Sequence, residues 1–180
     1  MDGGEENIRS VKGTFADQIS SGRLKLRQVF ITKANINQLI RESGAAPEPD
    51  LLSIDIDGND YWVWEALDVI CPRVVVIEYN ATFRPPHRIV QEYQPDYHWK
   101  SNAYFGASLK ALEELGTKKG YCLVGCNFTG INAFFIRQDL VQNHFSEPFT
   151  AEHHYREAMY DAFVRGYSRH EKAVGRYRIL

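Results

Sequence analysis

Three carboxylates follow a short apolar run in the middle of the chain, and their spacing is the strongest chemical signal in the sequence. Residues 51–57 read Leu-Leu-Ser-Ile-Asp-Ile-Asp, and a glycine and a helix-like pattern of bulky residues come directly after them. Asp55, Asp57 and Asp60 therefore gather where a predicted strand ends and a helix begins. Such carboxylates could hold a divalent cation, accept hydrogen bonds from ribose hydroxyls or deprotonate a substrate hydroxyl.

A second polar group ends the next apolar run along the chain. Residues 74–77 are Val-Val-Val-Ile, and Glu78 and Asn80 follow them. In open α/β sheets the ligand crevice lies outside the carboxyl ends of the strands. We therefore expect Glu78 and Asn80 to form one catalytic group with Asp55 and Asp57.

Ordinary structural roles compete with chemistry for some of these residues. Asn and Asp are common at helix N-caps, so capping is the preferred interpretation for Asn59 and Asp60. Gly58 suits a turn with positive φ. A carboxylate inside an apolar strand is costly without a specific partner, so Asp55 and Glu78 are the stronger functional candidates.

The elements that must position these groups are typical of an α/β fold. Two runs rich in β-branched residues, 51–57 and 74–77, flank one helical pattern, which predicts a parallel βαβ unit with a buried sheet. A helix over 108–119 and a hairpin of two strands, 121–126 and 131–136, come later in the chain.

The remaining segments are less regular. A helix over 5–19, a strand over 24–31 and a short helix around Ile36 precede the βαβ unit. Residues 81–105 lack periodicity and are rich in proline and aromatic residues, which predicts a lid or binding loop. His87 and His98 in this loop could act as a base, although exposed loop polarity is the preferred interpretation.

The last part of the chain is predicted to form a terminal helix and a tail. An amphipathic pattern runs through four residues of this region: Tyr155, Met159, Ala162 and Phe163. The last dozen residues are expected to be loosely held.

Length and charge place bounds on function. A chain of 180 residues suits one domain, and a net charge of −2 gives no electrostatic case for nucleic acid. No apolar stretch approaches the ~20 residues needed to cross a bilayer, so no membrane partner is expected. The acidic start carries no signal-peptide pattern and the three cysteines form no close pairing motif, which predicts a cytoplasmic location.

The order of motifs resembles that of the FkbM-like S-adenosylmethionine-dependent methyltransferases. Most of the chain to about residue 140 takes part in the similarity, which rests on Ile54-Asp55-Ile56-Asp57-Gly58-Asn59-Asp60, Asn35-Ile36-Asn37-Gln38-Leu39, Gly106-Ala107-Ser108-Leu109, Leu115-Gly116, Lys119-Gly120-Tyr121 and Gly130-Ile131-Asn132-Ala133-Phe134-Phe135. The resemblance implies a methyltransferase-like α/β domain over 1–140 with a C-terminal helical extension and tail over 141–180. Its sheet would be Rossmann-like and mostly parallel, with helices on both faces and an antiparallel C-terminal hairpin.

The resemblance also implies a cofactor and a reaction. S-adenosylmethionine would bind with Asp2 and Asp55, and a small-molecule or sugar-type hydroxyl would accept the methyl group. Asp55 or Asp57 would act as the base or hold a divalent metal, while Glu78 and Asn80 would orient the acceptor. The family's first strand and its glycine-rich turn have no counterpart here, so the expected sheet is N-terminally incomplete and its strand at 51–57 has an open edge. A second copy of the chain could complete the sheet.

Two other functions remain open. The haloacid-dehalogenase-type phosphatases have an Asp-x-Asp-Gly-Thr motif, which residues 55–59 match except at the last position. That resemblance implies Asp55 as nucleophile and Asp57 as acid/base in a magnesium-dependent reaction. The third hypothesis is a non-catalytic interaction module that keeps the α/β shell.

Overall fold

The computed structural model of the protein describes residues 1–159 and 170–180. Its strands are β1 (Leu51–Ile54), β2 (Val74–Glu78), β3 (Ile89–Gln91), β4 (Tyr121–Cys126), β5 (Asn132–Arg137) and β6 (Tyr177–Ile179). Its helices are α1 (Glu5–Thr14), α2 (Ala16–Ser20), α3 (Ile36–Ser43), α4 (Asp60–Ala66), α5 (Leu109–Lys118), α6 (Gln138–Val141) and α7 (Ala151–His154).

Four strands form the central mixed sheet in the order β1-β2-β5-β4. β1 and β2 are parallel and are joined through α4, which confirms the predicted βαβ unit. β5 pairs antiparallel with both β2 and β4, so the predicted C-terminal hairpin is also confirmed. A mostly parallel sheet is wrong for the described residues, since one of the three pairings in this sheet is parallel. β1 lies at the edge of the sheet, as expected.

Side-chain alternation explains why one face of the sheet carries the main core. Val75 and Ile77 of β2 are fully buried, whereas the alternate residues Val74 and Val76 are half-buried. Trp64 of α4 packs against Phe135 of β5 with their rings 4.9 Å apart. The β-branched run of β2 thus serves as a strand because every second side chain enters a dry core.

Several predicted boundaries are corrected by local chemistry. The predicted helix over 5–19 is interrupted at Phe15, and the predicted strand over 24–31 is reduced to an isolated parallel bridge between Asp2 and Gln28. β1 ends at Ile54 instead of continuing to Asp57.

The start of α4 also differs from the expectation. Asn59 occupies the N-cap position, but its side chain forms no capping hydrogen bond. The side-chain amide nitrogen of Asn59 instead donates to the backbone carbonyl of Gln94 at 2.7 Å. Asp60 binds amides that precede the helix. Neither side chain therefore caps α4 in the expected way.

The C-terminal residues are held more firmly than expected. β6 pairs antiparallel with β3, so the expectation of a loose tail is wrong. Tyr155 and Met159 follow α7 without helical structure, while Ala162 and Phe163 lie outside the described residues. Within the described ranges, the helices are all too short or too polar to cross a bilayer.

Candidate functional site

A cavity of about 230 Å³ opens beside the carboxyl end of β1. Carboxylates and aromatic rings from distant parts of the sequence share its lining: Asp2, Phe30, Asp55, Asp57, Tyr97 and Trp99. The structure thus brings together the two residues predicted to bind cofactor, Asp2 and Asp55. We call this cavity the acidic pocket.

Three carboxylates at the mouth of the sheet lie close enough to act together. One oxygen each from Asp55, Asp57 and Glu78 lies within 4.8 Å of the others. Asp55 and Asp57 are exposed, and Glu78 is half-buried at the end of β2. This arrangement agrees with the predicted meeting of adjacent strand ends, and oxygen ligands at this spacing suit a hard divalent cation.

The turn at Asp57 and Gly58 places Asp57 in the lining of the pocket. Asp57 adopts a positive φ of 58°, and Gly58 has a φ of 146°. A Cβ on Gly58 would lie 2.5 Å from the Tyr97 ring and 3.0 Å from Oε1 of Gln91. Glycine is therefore required here both by the backbone conformation and by the close approach of the loop.

Asp60 stabilises this turn through hydrogen bonds to its backbone amides. Its two carboxylate oxygens accept hydrogen bonds from the amides of Ile56 at 2.9 Å and Gly58 at 2.8 Å. Burial raises the pKa of Asp60 to about 6, although the bonds from those amides oppose the rise. Asp60 is therefore a positioning residue that fixes the backbone between Asp57 and α4.

Burial and the mutual repulsion of like charges raise the pKa values of this cluster. Burial raises the pKa of Glu78 to about 9, and the charges of Asp60, Asp55 and Asp57 add to the rise. Burial also raises the pKa of Asp55 and of Asp57, the latter with help from the Asp55 and Asp2 charges. Within the described residues none of these carboxylates forms a salt bridge, so Glu78 holds a proton at neutral pH.

Asn80 is fully buried and uses its side chain to fix the loop that follows β2. Its amide nitrogen donates to the carbonyls of Ala103 at 3.0 Å and Phe105 at 2.9 Å. Its amide oxygen accepts from the Thr82 amide at 3.0 Å. These contacts give Asn80 a positioning role, and its predicted part in orienting an acceptor stays a prediction.

The opposite wall of the pocket comes from the start of the chain. Oδ1 of Asp2 accepts from the Gly4 amide at 2.6 Å, and Oδ2 accepts from the Asn7 side chain at 3.1 Å. Phe30 lies against Gly3 and meets His98 edge-to-face with ring centroids 4.8 Å apart. Asp2 is thus oriented by its neighbours while remaining part of the cavity lining.

The predicted lid contributes aromatic side chains and one buried amide. The Tyr97 hydroxyl donates a hydrogen bond to the Tyr104 carbonyl. Of the two histidines considered as a base, His98 lines the acidic pocket and His87 does not. Gln91 of β3 is fully buried, accepts from the Gly106 amide at 3.0 Å and leaves its Nε2 without a partner among the described residues. The segment predicted to be a lid contains β3, so it is partly regular instead of structureless.

Sequence reasoning missed the aromatic wall. The patterns predict a strand around Phe30 and a lid containing Tyr97 and Trp99, and they do not bring the three rings together. The signal that could have found Tyr97 is Gly58, because a glycine beside a strand end often marks a close approach by another segment. No family model, curated protein or solved structure matches the chain.

Proposed function

We propose that the chain forms the acceptor side of an S-adenosylmethionine-dependent O-methyltransferase site on a Rossmann-like sheet. One observation carries the proposal: a single cavity joins Asp2 to Asp55 and Asp57 and flanks them with aromatic rings. The parallel β1-α4-β2 unit and the parallel bridge between Asp2 and Gln28 support the sheet type. The resemblance of the motifs supplies the cofactor class.

The size of the cavity limits how much of the cofactor it can enclose. Pockets that bury a drug-sized ligand usually measure ~300–1,000 Å³, and the acidic pocket measures about 230 Å³. It therefore suits the adenosine part, with Asp2 on the ribose hydroxyls and rings such as Phe30 beside the base.

Charge assigns different roles to the carboxylates. When bound, S-adenosylmethionine supplies an electrophilic methyl group. Asp55 or Asp57 accepts the proton of the acceptor hydroxyl, because both are exposed to the pocket and lie at its mouth. Glu78 is protonated at neutral pH and instead donates a hydrogen bond that orients the acceptor oxygen.

Calorimetric titration with S-adenosylmethionine and with its demethylated product tests the binding step. We expect saturable binding that Asp2→Asn weakens by about tenfold, a loss of ~1.4 kcal/mol. The control is Asp17→Asn, which changes an exposed aspartate on α2 outside the cavity lining and should bind like the wild type. Absence of binding by the wild-type chain would refute the cofactor assignment and favour the interaction module.

The phosphatase alternative has one observation in its favour, the mutual approach of three carboxylates. Incubation of the protein with magnesium and p-nitrophenyl phosphate tests it directly. Phosphate release that depends on magnesium and disappears in Asp55→Asn would replace the methyltransferase proposal. We expect no such release.

A further inference from the structure

Three carboxylates at the end of the central sheet have no partner within the part of the chain that the structure describes. Asp55, Asp57 and Glu78 bring one oxygen each within 4.8 Å of the others. Among the described residues, these side chains accept no hydrogen bond and form no salt bridge. Like charges at this distance repel each other, so a positive charge bound between them would be stabilised.

The acidic pocket beside these carboxylates supplies no compensating side chain. Among the described residues, no lysine or arginine lines it. Lys33 follows closely after Ile31 of the lining, but its ammonium lies 4.3 Å from the centre of the Tyr93 ring, which is outside the pocket. Compensation of the carboxylates is therefore left to a ligand.

Aromatic rings form a second, independent part of the lining. The Tyr97 hydroxyl donates to the Tyr104 carbonyl, and the Trp99 indole nitrogen donates to the Asn102 carbonyl at 2.8 Å. Because both polar groups are already used, the two side chains offer a ligand their rings. The Tyr97 ring also reaches the acidic turn, since a Cβ on Gly58 would lie 2.5 Å from it. The faces of such rings attract cations.

An organic cation uses this arrangement more completely than a metal ion does. Carboxylates suit a divalent metal ion, but such an ion keeps part of its water, gains little from aromatic faces and fills a small part of about 230 Å³. An ammonium group pairs with the carboxylates while its alkyl groups pack on the rings. An anionic ligand would add to the repulsion among the carboxylates and is therefore disfavoured.

We infer that the acidic pocket selects a hydroxylated organic cation, whose ammonium group binds beside Asp57 and the ring of Tyr97. Its assignment as the methyl acceptor rests on the proposed function, whereas its charge rests on the unpaired carboxylates and the rings. Asp2, on the opposite wall, stays available for the cofactor ribose. Sugar acids and other anionic hydroxyl compounds should be rejected.

The test uses the full chain with choline and with dimethylbutanol, the uncharged isostere in which a carbon atom replaces the choline nitrogen. Both probes carry a hydroxyl group and neither titrates near neutral pH, so charge is the difference between them. Titration followed by the NMR signal of the probe's methyl protons should show saturable choline binding, at least about tenfold tighter than that of dimethylbutanol. Added salt should weaken choline binding and leave dimethylbutanol binding unchanged.

Two protein variants locate the site. Asp57→Asn removes one charge at nearly constant size, and asparagine readily adopts the positive φ of 58° at this position. We expect this variant to bind choline about tenfold more weakly and dimethylbutanol as the wild type does. Asp17→Asn makes the same change of net charge at an exposed position outside the pocket and should leave both affinities unchanged.

A separate titration with S-adenosylmethionine distinguishes the failure of this inference from the failure of the proposed function. Absence of choline binding, equal affinity for the two probes, or no effect of Asp57→Asn would overturn the inference, whether or not the cofactor binds. Magnesium that binds more tightly than choline and excludes it would also overturn the inference. A preference for choline without S-adenosylmethionine binding would overturn the proposed methyl transfer and uphold the selection of a cation.

Discussion

Asp55 stands between two cavities of similar volume whose linings differ in chemistry. The acidic pocket, about 230 Å³, is lined by carboxylates and aromatic rings, whereas a second cavity of about 240 Å³ beside β1 is lined mostly by aliphatic side chains. We call it the apolar cavity; its lining includes Ile36, Ile40, Leu52 and Leu67. Met1, Ile31, Asp55 and Ile56 contribute to both. β1 is therefore followed by acidic side chains at its carboxyl end, and along its outer edge it has no neighbouring strand in the central sheet.

Because their linings differ in polarity, the two cavities suit different kinds of ligand. The pocket offers charge, oriented by the Asp57–Gly58 turn, and is suited to a small polar ligand. The apolar cavity offers aliphatic side chains and gives little purchase for a polar ligand. A change to the turn should therefore affect ligand binding in the acidic pocket alone.

The largest effect is expected from Gly58→Val. The new side chain would collide with Tyr97 and Gln91 in a backbone conformation that only glycine adopts readily, so we expect a loss of about 3 kcal/mol or more in the free energy of unfolding. Urea denaturation measures that loss. In conditions where the variant stays folded, it should lose S-adenosylmethionine binding, and unchanged binding would show that the turn does not shape the pocket.

A somewhat smaller loss should follow Asp60→Ala, which leaves the amides of Ile56 and Gly58 without their acceptor. Each buried, unpaired donor costs about 1–3 kcal/mol, so a total near 3 kcal/mol is expected by thermal or urea denaturation. Asp96→Ala, at an exposed loop position, is the control and should change stability little. Equal stability of the two variants would contradict the positioning role of Asp60.

The pH dependence of stability should be governed by Glu78. Its folded pKa of about 9 lies above the ordinary value of 4.5, so the stabilisation is complete below the ordinary value and is lost as pH rises through about 9. Between pH 5.5 and pH 7 we expect the free energy of unfolding to fall by about 2 kcal/mol. Glu78→Gln should flatten this slope, and an unchanged slope would show that another group is responsible.

The smallest effect is expected from Tyr97→Phe, which removes the hydrogen bond from the hydroxyl to the Tyr104 carbonyl. Loss of one such bond is worth about 1 kcal/mol, measurable by urea denaturation. Tyr93→Phe is a matched control, since no hydrogen bond of its hydroxyl is found among the described residues. We expect Tyr97→Phe to weaken ligand binding in the acidic pocket, which Tyr97 lines, and Tyr93→Phe to leave it unchanged. Equal binding by the two variants would contradict a role for the Tyr97 hydroxyl in shaping the pocket.

Local patterns were sufficient to predict the part of the fold that carries the carboxylates. The apolar runs at β1 and β2 and the helical pattern between them specify a βαβ unit, and the polar residues after each run therefore meet at one edge. Ser108 before an amphipathic run likewise predicts the start of α5, and its hydroxyl accepts from the Ala111 amide.

Non-local contacts explain what the sequence did not reveal. β6 has three residues, of which Arg178 and Ile179 are exposed, and it becomes a strand because β3 pairs with it. Residues near Gln28 look like a strand by composition but find one bridge partner, Asp2. The placement of Phe30 and Tyr97 in one cavity depends on how loops fold back, which periodicity does not encode.

The pairing of β6 with β3 has a consequence for how the acidic pocket opens. A ribbon of two three-residue strands is only marginally stable by itself. The free energy needed to separate these two strands should therefore be lower than the free energy needed to unfold the central sheet. The Tyr104 hydroxyl donates to the Arg176 carbonyl at 2.8 Å, just before β6, and the Tyr104 carbonyl in turn accepts from Tyr97. Separation of the ribbon would therefore loosen the aromatic wall while the carboxylates keep their places, so that local unfolding at one wall sets how fast a ligand enters and leaves.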